Sequence, residues 1–284
     1  TKRRMDPAKT DTRPRVLGWD AAGTVAAVGD KVCLFSEGDH VYYAGDVTRP
    51  GCNSEYHLVD ERIVGHKPKN LDFAQAAAMP LTAITAWECF FDRLKVKSGK
   101  TILIIGGAGG VGSIAIQIAK LAGLKVIATA SRAETISWVK SLGADETVNH
   151  HEDLVAQVKR PVEYIANFSG ELDAYWPAMA ELIAPQGAMV AIVGNQKPLP
   201  MDGVRMKSAA VCWELMFTRP RFKTPDMIEQ HRLLTRVAEL IDAGKIRGTL
   251  RETLRPINAA NLRAAHAKLE SGKTIGKLVV AGWS

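Results

Sequence analysis

Cysteine is scarce in this chain and nowhere clustered. Cys33, Cys52, Cys89 and Cys212 are widely and irregularly spaced and no CxxC pair occurs, which argues against both a zinc ribbon and a disulfide framework. Reduced thiols in a cytosol fit this usage. Uninterrupted runs of about 18 apolar residues are missing, so a membrane span is disfavoured. The basic, polar start "TKRRMD" lacks the apolar core of a signal peptide. These absences predict a soluble, cytoplasmic protein. Internal repeats and low-complexity tracts are missing as well.

Positive charge is in excess only locally. The formal net charge is +7, yet Lys2, Arg3, Arg4, Lys9, Arg13 and Arg15 set against Asp6 and Asp11 already supply +4 of it. The rest of the chain is close to neutral, with no basic face interleaved with aromatics. A nucleic-acid partner is therefore disfavoured, and the basic segment reads as a solvated tail.

With 284 residues, 46% of them hydrophobic, the chain can bury a large core and is long for one domain. Two textures follow each other. From Val16 to about Lys69, "GTVAAVG", "DHVYYAG" and "SEYHLVD" are brief apolar or alternating runs bounded by Gly, Asp, Asn and Pro, which predicts a small β-rich unit. From about Leu81, compact apolar strands alternate with long helical patterns: "TILII", "VGSIAIQIAKLAG", "KVIATA", "AETISWVKSLGA", "VEYIANF", "LDAYWPAMAELI", "AMVAIVG". Parallel strands need helical crossovers, so this alternation predicts an α/β fold with a doubly wound parallel sheet. Further helices are expected over 225–243 and 258–270, before a last strand in "KLVVAGW".

The glycine run of "LIIGGAGGVGSIAIQIAK" links the first strand and helix of this second texture. Gly107, Gly109 and Gly112 fit G-x-G-x-x-G directly after a strand and directly before a helix, the context that the motif requires. In that reading the first glycine allows a tight turn, the second admits a pyrophosphate, and the third lets helix and strand pack closely. Gly107, Ala108, Gly109, Gly110, Val111 and Gly112 thus form the candidate dinucleotide turn, with the phosphate on the helix N-terminus. At the end of the second strand, where an NAD enzyme offers a carboxylate, the chain has Ser131 and Arg132. A hydroxyl and a guanidinium would hold a 2′-phosphate, so NADPH is favoured over NADH. The alternative leaves Arg132 as a solvent-facing residue at a helix start, with Glu134 supporting NADH.

In their order, "RVLGWDAAGTVAAVG", "GDHVYYAG", "EYHLVDE", "MPLTAITAWE", "GGAGGVGSIAIQIAK", "SLGADETVNH" and "ESGKTIGKLVV" resemble the medium-chain dehydrogenase/reductase superfamily. More closely, the chain is similar to its quinone oxidoreductase branch, including members labelled zinc-type alcohol dehydrogenase-like. The resemblance runs from Val16 nearly to the end. It implies a GroES-like β-rich catalytic domain, residues 1–86, a Rossmann domain, residues 87–228, and a C-terminal tail, 229–284, that returns to the catalytic domain. It also implies that the family's first strands precede Thr1, that "TKRRMD" is the interior of an early loop, and that a surface loop near "QVKRPVEY" is short.

Against the superfamily's zinc pattern, Gly18-Trp19-Asp20 replaces Gly-His-Glu and the structural zinc loop is lacking. No metal is therefore expected, although His40, His57 and His66 share the β-rich part and a site made from them is conceivable. Alcohol oxidation usually calls for a Lewis acid, whereas a quinone accepts hydride directly. The resemblance thus implies a zinc-independent NADPH:quinone oxidoreductase, functioning as a homodimer on a small-molecule acceptor. A 2-alkenal or enoyl thioester reductase, and a non-catalytic NADPH-binding or RNA-associated protein, remain as alternatives.

The proton would come from solvent or a tyrosine; Tyr42 or Tyr43 would line the pocket, or else both pack as ordinary strand aromatics. Thr85 would contact the cofactor, with helix packing as the alternative. Asn149, Ser169, Gly170, Gly194 and Lys277 match positions where relatives touch NADPH. Trp213 and Glu214 read as the cleft or dimer side, and Met216 and Phe217 as core or interface.

Overall fold

Short β-branched and aromatic runs broken by Gly and Asp form the first elements of the computed structural model, which describes residues 15–283. The expectation that "TKRRMD" is the interior of an early loop falls outside the described residues. β1 (Ala21–Thr24), β2 (His40–Tyr43) and β3 (Val64–His66) make an antiparallel sheet in the order β1-β2-β3. The register sets Ala22 opposite Tyr42 and Tyr42 opposite Gly65, so the large ring shares its face with small neighbours. Tyr43 falls on the other face, packed with Phe35, Val41 and Val64.

The expected run "SEYHLVD" forms no strand. Ser54 Oγ donates to the Tyr56 carbonyl at 2.7 Å, a local bond that competes with a ladder, and Tyr56 and Leu58 stand exposed. α1 (Phe73–Ala77) opens with a capping box of Asp72 and Gln75. α2 (Pro80–Trp87) starts on its proline, where the missing N–H costs nothing, and continues into a π-turn over Glu88–Arg93.

The parallel sheet then follows: β4 (Thr101–Ile105), α3 (Gly110–Leu121), β5 (Lys125–Thr129), α4 (Ala133–Ser141), β6 (Glu146–Val148), α5 (Leu154–Val158), β7 (Val162–Asn167), α6 (Leu172–Leu182), β8 (Ile183–Ala191), α7 (Asp202–Met206) and β9 (Ala210–Trp213). All strand pairs are parallel, in the order β6-β5-β4-β7-β8-β9. Leu103, Ile105, Ile127 and Ile165 pack with Leu172, Trp176 and Met179 of α6. Ile102 and Ile104, on the opposite face, are equally buried. Both faces are covered, so the strands read as continuous aliphatic runs, and the expected doubly wound sheet is observed. Near "QVKRPVEY", α5 closes on Lys159 in the left-handed region and β7 begins at Val162.

The chain returns through α8 (Thr218–Phe222), α9 (Ile228–Asp242), β10 (Leu250–Leu254), α10 (Ala259–Glu270) and β11 (Lys277–Val280), with β10 and β11 paired in parallel. The fold divides into two units, one formed by the chain up to Ile84 and from Met216 onward, the other by Thr85–Leu215. The sequence-based limits, 86/87 and 228/229, thus shift to 84/85 and 215/216. The second shift has a packing cause: Met216, Phe217 and Met227 are buried, and the Met216 carbonyl accepts from Gln230 Nε2 of α9 at 2.6 Å.

Candidate functional site

The glycine run leaves β4 through a turn whose left-handed residue is Gly106, at φ +82°. The tight-turn role expected of Gly107 therefore belongs to Gly106. A Cβ on Gly107 would stand 3.0 Å from Ala128 Cβ, so Gly107 is small to let the turn pack against β5. Gly112 is the most constrained: a Cβ there would fall 2.2 Å from the Gly106 carbonyl oxygen and 2.6 Å from that of Gly107. Helix and turn can touch only because no side chain intervenes.

Gly109 is the N-cap of α3, and no side chain caps that end. The first-turn N–H groups of Gly110, Val111 and Gly112 have no intrahelical acceptor. Ala108 lies in the turn, where its carbonyl is 3.4 Å from Ser113 Oγ. Two supports escaped sequence reasoning. Thr129 Oγ1 accepts from Gly106 N at 2.9 Å. Ser113, fully buried, donates to the Gly109 carbonyl at 2.7 Å and accepts from Trp138 Nε1 at 2.8 Å. Only the spacing of hydroxyl residues beside the turn could have signalled them.

The sheet places the other expected residues along one edge. The chain leaves β4 toward β5 and β6 on one side, and β7, β8 and β9 fill the other, so the turn sits at the topological switch point, where ligands of open α/β sheets bind. There Gly106 abuts Phe168 and Ser169 after β7. Asn167, wholly buried, accepts from both Ser169 N and Ser169 Oγ; it is an organiser that the sequence did not reveal.

Arg132 is the N-cap of α4 and exchanges two hydrogen bonds with Thr135, with Ser131 and Arg132 together at the end of β5. Arg132 also faces His150, whose imidazole is held below its ordinary range by burial, then by His151 and Arg132. Asn149 is turned to its own loop: its side chain accepts from His151 N and donates to Glu152. Gly170 and Gly194 have open space where a Cβ would stand, so nothing steric requires glycine there. Thr85 is buried on α2. Glu214 is buried against Arg93 at 2.7 Å while Trp213 is half exposed.

In the other unit, one assignment changes. Tyr42 is wholly buried and its hydroxyl donates to the Leu234 carbonyl at 2.6 Å; burial, with Asp242 adding to it, pushes the phenol far up. It is a core residue, not a pocket residue. Lys277 Nζ is bound to Asp20 Oδ2 at 2.5 Å, and Asp20 Oδ1 accepts from Leu81 N at 2.7 Å. The Lys277 ammonium is thus held in this pair. Burial pushes the Asp20 carboxyl up, and Lys277 draws it back only in part.

Tyr43, on the other face of β2, is paired with a histidine. Its hydroxyl lies 3.1 Å from His57 Nδ1, and His57 Nε2 lies 3.0 Å from the Pro50 carbonyl. The two rings stack with centroids 5.5 Å apart. Burial, and then Cys52, push the Tyr43 phenol up, so it stays protonated across the neutral range.

The same corner tests the fit of a zinc ion. Trp19, in the place of the family's histidine ligand, has a buried Nε1 without a hydrogen-bond partner among the described residues and Arg15 over its ring. An indole N–H is a donor only. Cys52 Sγ bonds the Asp20 carbonyl at 3.3 Å. His40 packs on Phe73, His66 on Phe35 and His57 on Tyr43. No group of three His, Cys, Asp or Glu residues that could hold a metal occurs among the described residues. The residues present do not fit zinc. Nor is any helix of the described residues long and apolar enough to cross a membrane.

Comparison with known proteins agrees with this architecture. Family models described as an alcohol dehydrogenase GroES-like domain and as a zinc-binding dehydrogenase match residues 2–79 and 142–280. A zinc-type alcohol dehydrogenase-like protein of Staphylococcus aureus (strain COL) is 46% identical over 94% of this chain and 82% of its own. A crystal structure from Rhizobium etli CFN 42, described as a candidate zinc-dependent alcohol dehydrogenase, is 52% identical with a TM-score of 0.91, covering 95% of this chain and 81% of that one. The Escherichia coli quinone oxidoreductase complexed with NADPH is 26% identical with a TM-score of 0.79, covering 93% and 81%. The motif order, the parallel sheet and these matches together show that the chain belongs to the medium-chain dehydrogenase/reductase superfamily and is an oxidoreductase that uses a nicotinamide cofactor.

Proposed function

We propose that the protein is a zinc-independent NADPH:quinone oxidoreductase that functions as a homodimer in the cytoplasm. The observation that carries this reading is the commitment of Asp20 to Lys277 and to the Leu81 N–H, beside an indole in place of a histidine. With those donors taken, the acceptor must be electrophilic enough to be reduced without a Lewis acid, which a quinone is. The bound nicotinamide supplies hydride.

The chain's own residues supply the rest. The uncapped N-terminus of α3 and the glycine-walled turn hold the pyrophosphate, and Ser131 with Arg132 receives the 2′-phosphate. Ser169 and Gly170 border the switch point beside the turn. Tyr43, with its phenol kept protonated by burial, gives a proton to the reduced acceptor oxygen. The four cysteines are unpaired, which supports a reducing compartment. Strand β9, at the sheet edge with Trp213 half exposed, offers the backbone for a second copy.

Purified protein mixed with NADPH or NADH and a small quinone, a 2-alkenal or an enoyl thioester, with zinc measured in parallel, tests the proposal. Fastest NADPH oxidation with the quinone, at negligible zinc, is expected. Stoichiometric zinc with alcohol oxidation would overturn it, and a preference for the alkenal or thioester would reassign the acceptor.

A further inference from the structure

His57 has no assigned role, yet its two nitrogens define the protonation of its neighbour. The Pro50 carbonyl can only accept, so Nε2, 3.0 Å from it, carries a hydrogen. In the neutral ring Nδ1 is then bare, and the Tyr43 hydroxyl 3.1 Å away donates to it. The neutral imidazole thus turns the phenol proton away from any acceptor. In the imidazolium both nitrogens carry hydrogens, Nδ1–H donates to the Tyr43 oxygen, and the phenol proton is released to point elsewhere.

His57 is also reachable by water. It lines a cavity of about 420 Å³, and a Cβ on Gly45 would still clear its ring, 3.6 Å from Cε1. The charged groups around that cavity are Asp46 and Arg49 from the loop after β2, Asp60 and Arg62 before β3, and Lys223 after α8. Asp60 and Arg62 are paired with each other, and Asp46 accepts from Thr48, which leaves the imidazole its two neutral partners. Cys52 faces Tyr43.

We propose that His57 is the second member of a proton relay that acts through Tyr43: a positioning residue that parks the phenol proton when neutral and delivers its replacement when charged. The proposal rests on Tyr43 as the proton donor. In the reducing direction, hydride from the nicotinamide gives the acceptor two electrons. The Tyr43 O–H bond breaks as its proton completes the new acceptor O–H bond, and the Nδ1 proton of His57 moves to the Tyr43 oxygen. The nicotinamide ends oxidised, the acceptor reduced, and His57 neutral with Nε2–H still on Pro50. A proton from solvent restores the imidazolium.

His57→Phe keeps the stacked ring and removes both nitrogens. Its kcat for quinone reduction should fall about 100-fold, the scale of one positioned proton-transfer group, with KM for NADPH within about twofold. The solvent deuterium isotope effect on kcat should rise, and imidazole should restore at least about tenfold of the kcat of His57→Ala. Tyr43→Phe should show a loss similar to that of His57→Phe, and the double variant no more than either alone.

If Tyr43→Phe is impaired while His57→Phe is not, the relay is overturned and the donor reading stands. If neither is impaired, the donor reading fails too, and a protein that reduces no acceptor removes both. Independently of turnover, ¹⁵N NMR of the resting protein should show the imidazole protonated at Nε2 with Nδ1 accepting a hydrogen bond. A neutral ring protonated at Nδ1 would overturn the relay directly.

Discussion

The glycine turn after β4 and the corner around Asp20 and Tyr43 are built on opposite principles. At the turn, function comes from what the residues lack: Gly112 must have no side chain because the Gly106 and Gly107 carbonyls occupy its place, and the donors offered to a ligand are backbone N–H groups. At the corner, each group is defined by a specific side-chain partner: Asp20 by Lys277, Tyr43 by His57, Tyr42 by the Leu234 carbonyl. A backbone site tolerates change around it and fails when atoms are added. A side-chain site fails when an atom is removed.

The largest effect is expected at the corner. Asp20→Asn leaves the Lys277 ammonium, only one-fifth exposed, without its counter-charge, at a cost of about 3–5 kcal/mol. Thermal or denaturant unfolding should show it, and Asp20→Leu combined with Lys277→Met should recover most of the loss. An unchanged midpoint for Asp20→Asn would mean that the pair is not a structural tie. At the turn, Gly112→Ala should cost about 1–3 kcal/mol through forced displacement of backbone. It should weaken NADPH by about 10- to 100-fold in a fluorescence titration, since about 1.4 kcal/mol is a factor of ten. Gly170→Ala, which meets open space, should leave both almost unchanged. If the two glycine variants behave alike, the turn's demand for glycine is not steric.

This contrast explains what the sequence disclosed. The parallel sheet was legible because "TILII" and "VEYIANF" are buried on both faces and need no long-range information to be read as strands. The turn was legible because its chemistry is an absence of side chains at fixed spacing, and even there the left-handed residue proved to be Gly106, one position before the motif's first glycine. The corner was not legible. Asp20 and Lys277 lie 257 residues apart, and nothing local in "GWDAAG" or "GKLVV" announces that they meet. The same holds for Tyr42 and Tyr43: adjacent in sequence, they point to opposite faces of β2, and only the fold decides that one hydroxyl meets the Leu234 carbonyl and the other His57.

A smaller effect separates cofactors. Arg132→Ala should weaken NADPH by about tenfold, near 1.5 kcal/mol for one charge-assisted hydrogen bond, and leave NADH within about twofold. Equal losses for both would place the guanidinium away from the 2′-phosphate.

The smallest expected effect sharpens the contrast between buried and exposed charge. Glu146, on β6, carries the same chemistry as Asp20 in a different setting: Lys125 and Arg160 both reach it at 2.9 Å, but all three side chains are more than one-third exposed. The hydrogen bonds from Lys125 and then Arg160 hold its carboxyl below the ordinary 4.5. A depressed folded-state value means that the native state binds the proton less readily than the unfolded chain. The stabilisation is therefore fully present above the ordinary value and is lost as pH falls through the depressed one. Because water and salt screen exposed pairs, the contribution is expected to be below about 1 kcal/mol. Glu146→Gln should lower the unfolding midpoint slightly at pH 7 and converge with the parent protein in acid. High salt should abolish the Glu146 difference while leaving that of Asp20→Asn largely intact. A salt-insensitive Glu146 effect, or one that grows in acid, would show that this cluster, too, is held out of water.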